Sequence, residues 1–255
     1  MIKYDFTGKV VLVTGSSRGI GRATAAMFAG AGADVILHFN QNEEAAKKAF
    51  SNLKKGNHLL VQADLSDPFQ VEGMCTKCFE KYGKIDILVN NAGVFEEFDV
   101  LSLSYKDWLN EWDKTIKINL NGAANLSFLV AKQMKDKDGC KIINISSRGA
   151  FRGEPDAPAY GASKAGMNSF GQSMAKAFAK YGIYVYTIAP GFVETDMAAL
   201  ALEGDRGKEI RSQTPLNRVA QPEEIAQTIL FLASEGTEYM TGCIVDMNGA
   251  SYLRS

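Results

Sequence analysis

The sequence predicts an α/β protein, a Rossmann-like, doubly wound parallel sheet of about seven strands flanked by helices. Three observations lead there. Short β-rich apolar runs alternate with helical patterns along most of the chain. The runs are mostly continuous rather than alternating, as in strands covered on both faces. A glycine-rich loop also separates the first strand from the first helix, where such a sheet makes its first crossover.

In order, strands are predicted at Val10–Val13, Asp34–Phe39, His58–Gln62, Ile85–Asn90, Lys141–Ile145, Tyr184–Ala189 and Cys243–Met247. Helices are predicted near Gly19–Ala31, Glu43–Lys55, Pro68–Tyr82, Tyr105–Ala131, Ala159–Tyr181 and Pro222–Ala233. Pro68 and Pro222 suit first helical positions, where the missing N–H costs nothing, and Gly32, Gly56, Gly83 and Gly182 follow helix ends. Right-handed crossovers then build the parallel sheet, and ligands are expected beyond the carboxyl ends of its strands. No linker or low-complexity stretch divides the 255 residues, so a single domain over 1–255 is expected. Residues 191–220 have only weak helical pattern, and a segment of that length within a compact domain reads as a lid over substrate.

Composition excludes several functions. A net charge of −1 offers no general attraction to nucleic acid or anionic membrane. No apolar run approaches the roughly 18 residues that span a bilayer. The first apolar strand begins at Val10, leaving no room for a signal peptide, so a cytoplasmic protein is expected. Cys75 and Cys78 form a CxxC, but inside an amphipathic helical pattern and with no second pair to complete a zinc site. All four cysteines read as reduced and structural, and no metal is expected.

The strongest local signal is "VVLVTGSSRGIG". Gly15, Gly19 and Gly21 lie between a buried strand and a helix, so backbone can approach a phosphate and the helix N-terminus offers free N–H groups. No Gly-Lys-Ser/Thr ending follows, which removes the P-loop reading, and the spacing is G-x-x-x-G-x-G rather than the common G-x-G-x-x-G. A second signal, "AYGASKAG", places Tyr160 and Lys164 four residues apart on one helical face. Spacing alone decides nothing here, because a chain of this composition yields about one Tyr-x-x-x-Lys by chance.

Ordered together, these segments resemble the short-chain dehydrogenase/reductase family: "TGSSRGIG", then "NNAG" at Asn90–Gly93, "INLNG" at Ile118–Gly122, "NISS" at Asn144–Ser147, "YGASK" at Tyr160–Lys164 and "APGFVETDM" at Ala189–Met197. The resemblance implies that Tyr160 is the general acid/base and that Lys164 promotes the phenolate and binds the nicotinamide ribose. It implies that Ser147 orients the substrate, with Ser146 structural, and that Asn119 holds a bent helix and a proton-relay water, Asn121 being the alternative. For the cofactor it implies Gly15, Ser17, Arg18, Gly19, Ile20 and Gly21 in the loop. Asp64 and Leu65 follow at the adenine, then Asn91, Ala92 and Gly93 in the cleft wall. Pro190, Gly191, Val193 and Thr195 complete the set around the nicotinamide and pyrophosphate. Members that use NAD commonly carry an acidic residue where this chain has Phe39 and then Asn40. With Arg18 in the loop and Asn40 as a second phosphate contact, the resemblance implies NADP(H), with NAD(H) left open.

"PGFVETDM", "PLNRVAQPEEIA" and "YMTGCIVDMNG" resemble the bacterial 3-oxoacyl-(acyl-carrier-protein) reductase branch, and also related sugar, polyol and steroid dehydrogenases. Lys135, Lys137 and Lys180 are candidates for docking an acidic carrier, but Tyr181 stands where that branch carries arginine, and "RGAFRGEPDAP" departs from its small, polar residues. Three readings therefore stand. The first is an NADP-dependent reductase of a small-molecule carbonyl, acyl-carrier- and CoA-bound 3-oxoacyl thioesters included. The second is a sugar, polyol or steroid dehydrogenase, and the third a non-catalytic dinucleotide-binding sensor or scaffold. The family also implies a homotetramer built through long helices and C-terminal segments.

Overall fold

The computed structural model describes residues 4–135 and 137–254. Seven parallel strands run in the order β3-β2-β1-β4-β5-β6-β7: β1 (Val10–Val13), β2 (Asp34–Phe39), β3 (Leu59–Gln62), β4 (Ile87–Asn90), β5 (Cys140–Ile145), β6 (Ile183–Pro190) and β7 (Ile244–Met247). The chain moves outward from β1 to β3, then returns to place β4 on the other side of β1. Val13 of β1 pairs with Leu37 of β2 and Val89 of β4, so the strand order reverses at β1. A crevice opens beyond the strand ends at such a point.

Alternate side chains of the inner strands fill two cores. Val11 and Val13 pack with Phe28 of α1 (Gly19–Gly30) and Ile225 and Ile229 of α9 (Pro222–Ala233). Val10 and Leu12 pack on the opposite face with Met74 and Cys78 of α3 (Pro68–Tyr82) and with Leu126 and Val130 of α5 (Ala123–Met134). Burying each large apolar side chain contributes about 2 kcal/mol. The helix ends follow local chemistry. Asp67 caps α3 by accepting from Phe69 N at 2.9 Å, and Gly83 ends it with φ +67°. Gln221 N donates to Glu224 Oε2 at 2.8 Å in the capping box of α9. Glu43–Ser51 forms α2, ending at the Asn52 cap rather than at Lys55.

Three differences from the sequence expectation bear on the cleft. The stretch Tyr105–Ala131 is not one α-helix: α4 (Tyr105–Ile116) passes into a π-helical segment, Lys117–Gly122, before α5 begins. There Asn119 is fully buried, accepting from Val94 N at 2.8 Å and donating to Val94 O at 2.9 Å. These bonds to another loop hold the widened turn, which helical periodicity cannot reveal. The second difference is a short helix, α6 (Gly149–Arg152), before α7 (Pro158–Phe178). Residues 191–220 are also better ordered than their pattern suggested: a 3₁₀ turn at Leu200–Leu202 leads into α8 (Gly204–Ser212). A bridge between Val193 and Ala220 closes the base of this segment, and Ala201, Ile210 and Val219 form a small core of their own.

Gly21 shows how tightly the first crossover is built. A Cβ at this position would lie 2.4 Å from Gly15 O and 2.5 Å from Asn91 Nδ2. Gly21→Ala is therefore expected to cost about 1–3 kcal/mol through displaced backbone, read from the denaturant midpoint at unchanged m-value.

Candidate active site

Beyond the strand ends at the β1–β4 reversal lies a cleft of about 810 Å³. One end is built by the glycine loop. Gly15 has φ +63°, and a Cβ there would come within 2.9 Å of Ala92 Cα, so a side chain is excluded twice over. Gly15 N donates to His38 Nδ1 at 3.1 Å, and His38 Nε2 faces Ala63 O at 3.0 Å. Burial pushes the His38 pKa down, which keeps the ring neutral and suited to accept at one nitrogen and donate at the other. His38 thus ties the loop to the ends of β2 and β3, a role that sequence reading missed. Its signal was a histidine inside the apolar run "VILHF".

Ser17, Arg18, Gly19, Ile20, Asn40, Asp64 and Leu65 line this end of the cleft, with Asn91, Ala92, Gly93, Pro190, Gly191, Val193 and Thr195 further along. Gly21 does not line it and acts by packing. Arg18 is exposed at the start of α1, and Asp64 is held by Ser66, whose N and Oγ donate to its Oδ1 at 2.8 and 2.7 Å. Glycines at close contact and a helix N-terminus beside a cleft of this volume fit a dinucleotide, with its pyrophosphate at the loop.

The catalytic candidates meet at the end of β5. Ser147, Tyr160 and Lys164 all line the cleft, Ser147 from the strand end and the other two from the first turns of α7. Ser147 Oγ accepts from Gly149 N at 3.0 Å, which fixes the hydroxyl of a residue half-buried at the cleft wall. Ser146 also lines the cleft but is buried, and its Oγ donates to Lys164 O at 3.2 Å. Lys164 Nζ lies 5.7 Å from the centre of the Tyr160 ring and donates to Ile145 O at 2.8 Å. Phe95 meets the same ring edge-on at 4.9 Å.

Burial pushes the Tyr160 phenol up to about 12, the Ser147 hydroxyl opposing and Glu154 adding to the effect. Burial also pushes the Lys164 ammonium down to about 8. Desolvation thus dominates, in place of the depression by the Lys164 charge expected from the sequence, and the phenol holds its proton at neutral pH. Asn119 does not line the cleft. It sits behind it, donating to Ser163 Oγ at 3.2 Å, and Ser163 in turn donates to Tyr160 O at 2.7 Å. Asn121 is exposed.

The far end of the cleft is unexpectedly charged. Glu96 pairs with Lys114, Glu97 with Arg206 of α8 at 2.5 Å, and Arg152 with Glu154 at 3.0 Å. Arg148, which sequence reading left without a role, is buried beside Ser147. No cluster among the described residues could hold a metal, and no helix of these residues is long and apolar enough to cross a membrane.

The family described as enoyl-(acyl carrier protein) reductase matches residues 15–249. The chain is 39% identical over 249 residues to the 3-oxoacyl-(acyl-carrier-protein) reductase of Escherichia coli (strain K12), covering 98% of this chain and 99% of that one. It is 37% identical over 250 residues to the enzyme of that name from Synechocystis, covering 97% and 98%. Among solved structures, a dehydrogenase/reductase from Sinorhizobium meliloti 1021 superposes with a TM-score of 0.90 at 28% identity, covering 98% of each chain. A short chain dehydrogenase from Burkholderia cenocepacia J2315, in complex with NADP, gives 0.85 at 30% identity over 96% of this chain and 98% of that one. With matched segments running from the glycine loop to the last strand, the chain belongs to the short-chain dehydrogenase/reductase family.

Proposed function

We propose that this protein is an NADP(H)-dependent reductase that converts a ketone to a secondary alcohol. The observation that carries the reading is the meeting of Ser147, Tyr160 and Lys164 at the cleft wall, in the same cleft as the glycine loop. When bound, the cofactor supplies the hydride. The protein then has to hold the substrate oxygen, stabilise the charge that grows on it and deliver a proton. Ser147 Oγ, fixed by Gly149 N, is placed to donate to that oxygen. Tyr160, still protonated at neutral pH, gives the proton. Lys164, on the next turn of the same helix face, holds positive charge near the phenolate that results. Asn119 acts one layer back, fixing Val94 and, through Ser163, the backbone of Tyr160.

The NADP(H) preference rests on the adenosine end. Arg18 stands at the mouth of the cleft, Phe39 and Asn40 occupy the end of β2, and Asp64 is the one carboxylate among the described residues lining that end. A 2′-phosphate thus meets a cation and few opposing charges.

The relatives' names make 3-oxoacyl thioesters the first substrates to try. A carrier-docking role for Lys135 and Lys180 lacks support from their position, since both stack over Tyr181 at the far end of α7 from Tyr160. About twenty helical residues put that end roughly 30 Å from the cleft. The charged substrate end, with Arg148, Arg152, Glu154 and Asp156, favours as the second reading a small polar carbonyl such as a sugar or polyol derivative. Residues 191–220 are read as a lid, tied across the cleft by Arg206 and Glu97. Tyr105, Leu109 and Trp112 on α4 and Phe128 on α5 expose apolar surface that suits a homotetramer.

Tyr160→Phe is expected to lower kcat by about 10²- to 10⁴-fold, measured as NADPH oxidation against a panel of carbonyl substrates. Near-full activity would refute the proton-transfer role. NADPH is expected to bind more tightly than NADH, with Arg18→Ala narrowing the gap by about tenfold through loss of one phosphate contact, as followed by fluorescence titration. Light scattering is expected to give four chain masses, and Phe128→Glu to reduce that number.

A further inference from the structure

Apart from Arg18 and Lys164, four cationic side chains line the cleft, and three are matched: Lys114 by Glu96, Arg152 by Glu154 and Arg206 by Glu97. Arg148 is the exception. It is 3% exposed, yet no carboxylate among the described residues pairs with it. NH1 donates to Ser251 Oγ at 2.5 Å and NH2 to Gln213 Oε1 at 2.7 Å, and the guanidinium lies 5.1 Å from the centre of the Phe192 ring. These partners are neutral and engage two of its five N–H groups. Burial pushes its pKa down to about 10, with Arg152 adding to the effect and Glu154 opposing it, so it stays charged at neutral pH.

A buried cation without a counterion is costly, and folds keep one where something repays the cost. The position says what could. Arg148 follows Ser147 directly in the chain and lines both the main cleft and an adjoining cavity of about 130 Å³, along with Phe192 and Ile210. The carboxylate within that cavity's lining, Glu224, is already taken by Arg218, which donates to it from NH1 and NH2 at 2.7 Å each. An anion reaching Arg148 from the reacting centre therefore meets an unmatched planar donor and no free carboxylate in that side cavity.

We propose that Arg148 anchors an anionic group of the substrate, so that the site takes an oxo compound carrying a carboxylate in preference to an uncharged ketone. The proposal rests on the reductase reading for the identity of the reacting group. A carboxylate fits the planar fork, which can bond it at two oxygens, and the side cavity accommodates a small group. Phe192 covers one face of the guanidinium and excludes water from the contact. Gln213, just past α8, and Ser251 of the C-terminal segment orient the fork, so the lid and the tail both bear on the anion site.

The test is binding, which needs no turnover. Pyruvate, acetoacetate, levulinate and 5-oxohexanoate, each beside its methyl ester, are titrated by calorimetry into the protein with saturating NADP⁺. At least one acid is expected to bind about 10- to 100-fold more tightly than its ester, the worth of a hydrogen-bonded charge pair. Arg148→Met is expected to erase that preference and Arg148→Lys to retain part of it. If every ester binds as well as its acid, or if Arg148→Met keeps the preference, the proposal is overturned and Arg148 is a structural pin between lid and tail. The acid-to-ester ratio of the unaltered protein decides the matter even if the Met variant does not fold. Failure to oxidise NADPH with any carbonyl compound would count against the reductase reading and leave the binding result standing.

Discussion

The bond from Lys164 Nζ to Ile145 O, 2.8 Å long, is the contact on which the cleft depends. It runs from the second turn of α7 to the last residue of β5, so the helix carrying Tyr160 and the strand end carrying Ser147 are held in one register. Ser146 adds a second tie from the same strand end to the backbone of Lys164. Lys141, the other lysine buried among the described residues, differs. Lys141 has Glu238 Oε1 at 2.6 Å and lies 4.6 Å from the centre of the Tyr184 ring, so its charge is met within the fold. Lys164 is offered one neutral carbonyl, and desolvation lowers its pKa to about 8. A fold that wanted only a strut would use an apolar side chain here. An ammonium with donors to spare at a cleft wall is what a ligand-binding lysine looks like.

The strands were legible because their chemistry is local. Continuous apolar runs such as "VVLV" and "ILV" name both the strand and its burial on two faces, and Pro68 and Gly83 mark the ends of α3 by backbone rules. The glycine loop was legible for the same reason. What stayed hidden depends on partners distant in sequence. The π-helical segment exists because Asn119 bonds to the backbone of Val94, 25 residues earlier, and because Gly122 approaches Leu65 O so closely that a Cβ would lie 2.6 Å away. His38 could be seen as odd in an apolar strand, but its partners Gly15 and Ala63 come from two other loops. Arg148 was hidden by the same cause. Its environment is assembled from α8, the turn after β6 and the C-terminal segment.

These hidden contacts share a logic. Each reaches between loops at the carboxyl ends of different strands, the region that varies while the sheet beneath stays fixed. The segment 191–220 extends it. Its base is closed by the bridge from Val193 to Ala220, its interior is the small cluster around Ala201, Ile210 and Val219, and its outer edge is tied by Arg206 to Glu97. The first two fasten the segment to itself, while the third spans the cleft. The Arg206 and Glu97 side chains keep 51% and 32% of their exposure, so water competes for that pair and it contributes at most about 1 kcal/mol. The segment thus has a small core of its own and is tied to the rest of the cleft by the Arg206–Glu97 pair and by Gln213, which accepts from Arg148 NH2 at 2.7 Å.

Charge at the reacting centre follows from the same geometry. Lys164 and Arg148 flank Ser147, one through the helix and one through the chain itself, and neither has a carboxylate partner among the described residues. Glu154, the carboxylate that raises the Tyr160 pKa, is drawn toward Arg152 and away from acting as a free anion. The balance around the serine is therefore positive before any ligand arrives, in a setting where burial weakens solvent screening. Negative charge developing beside Ser147 would be stabilised by this fixed positive charge more than a neutral group would. The desolvation that makes these cations expensive to fold is the same property that makes their field effective, so the cost in stability and the strength of the field at Ser147 have one physical origin.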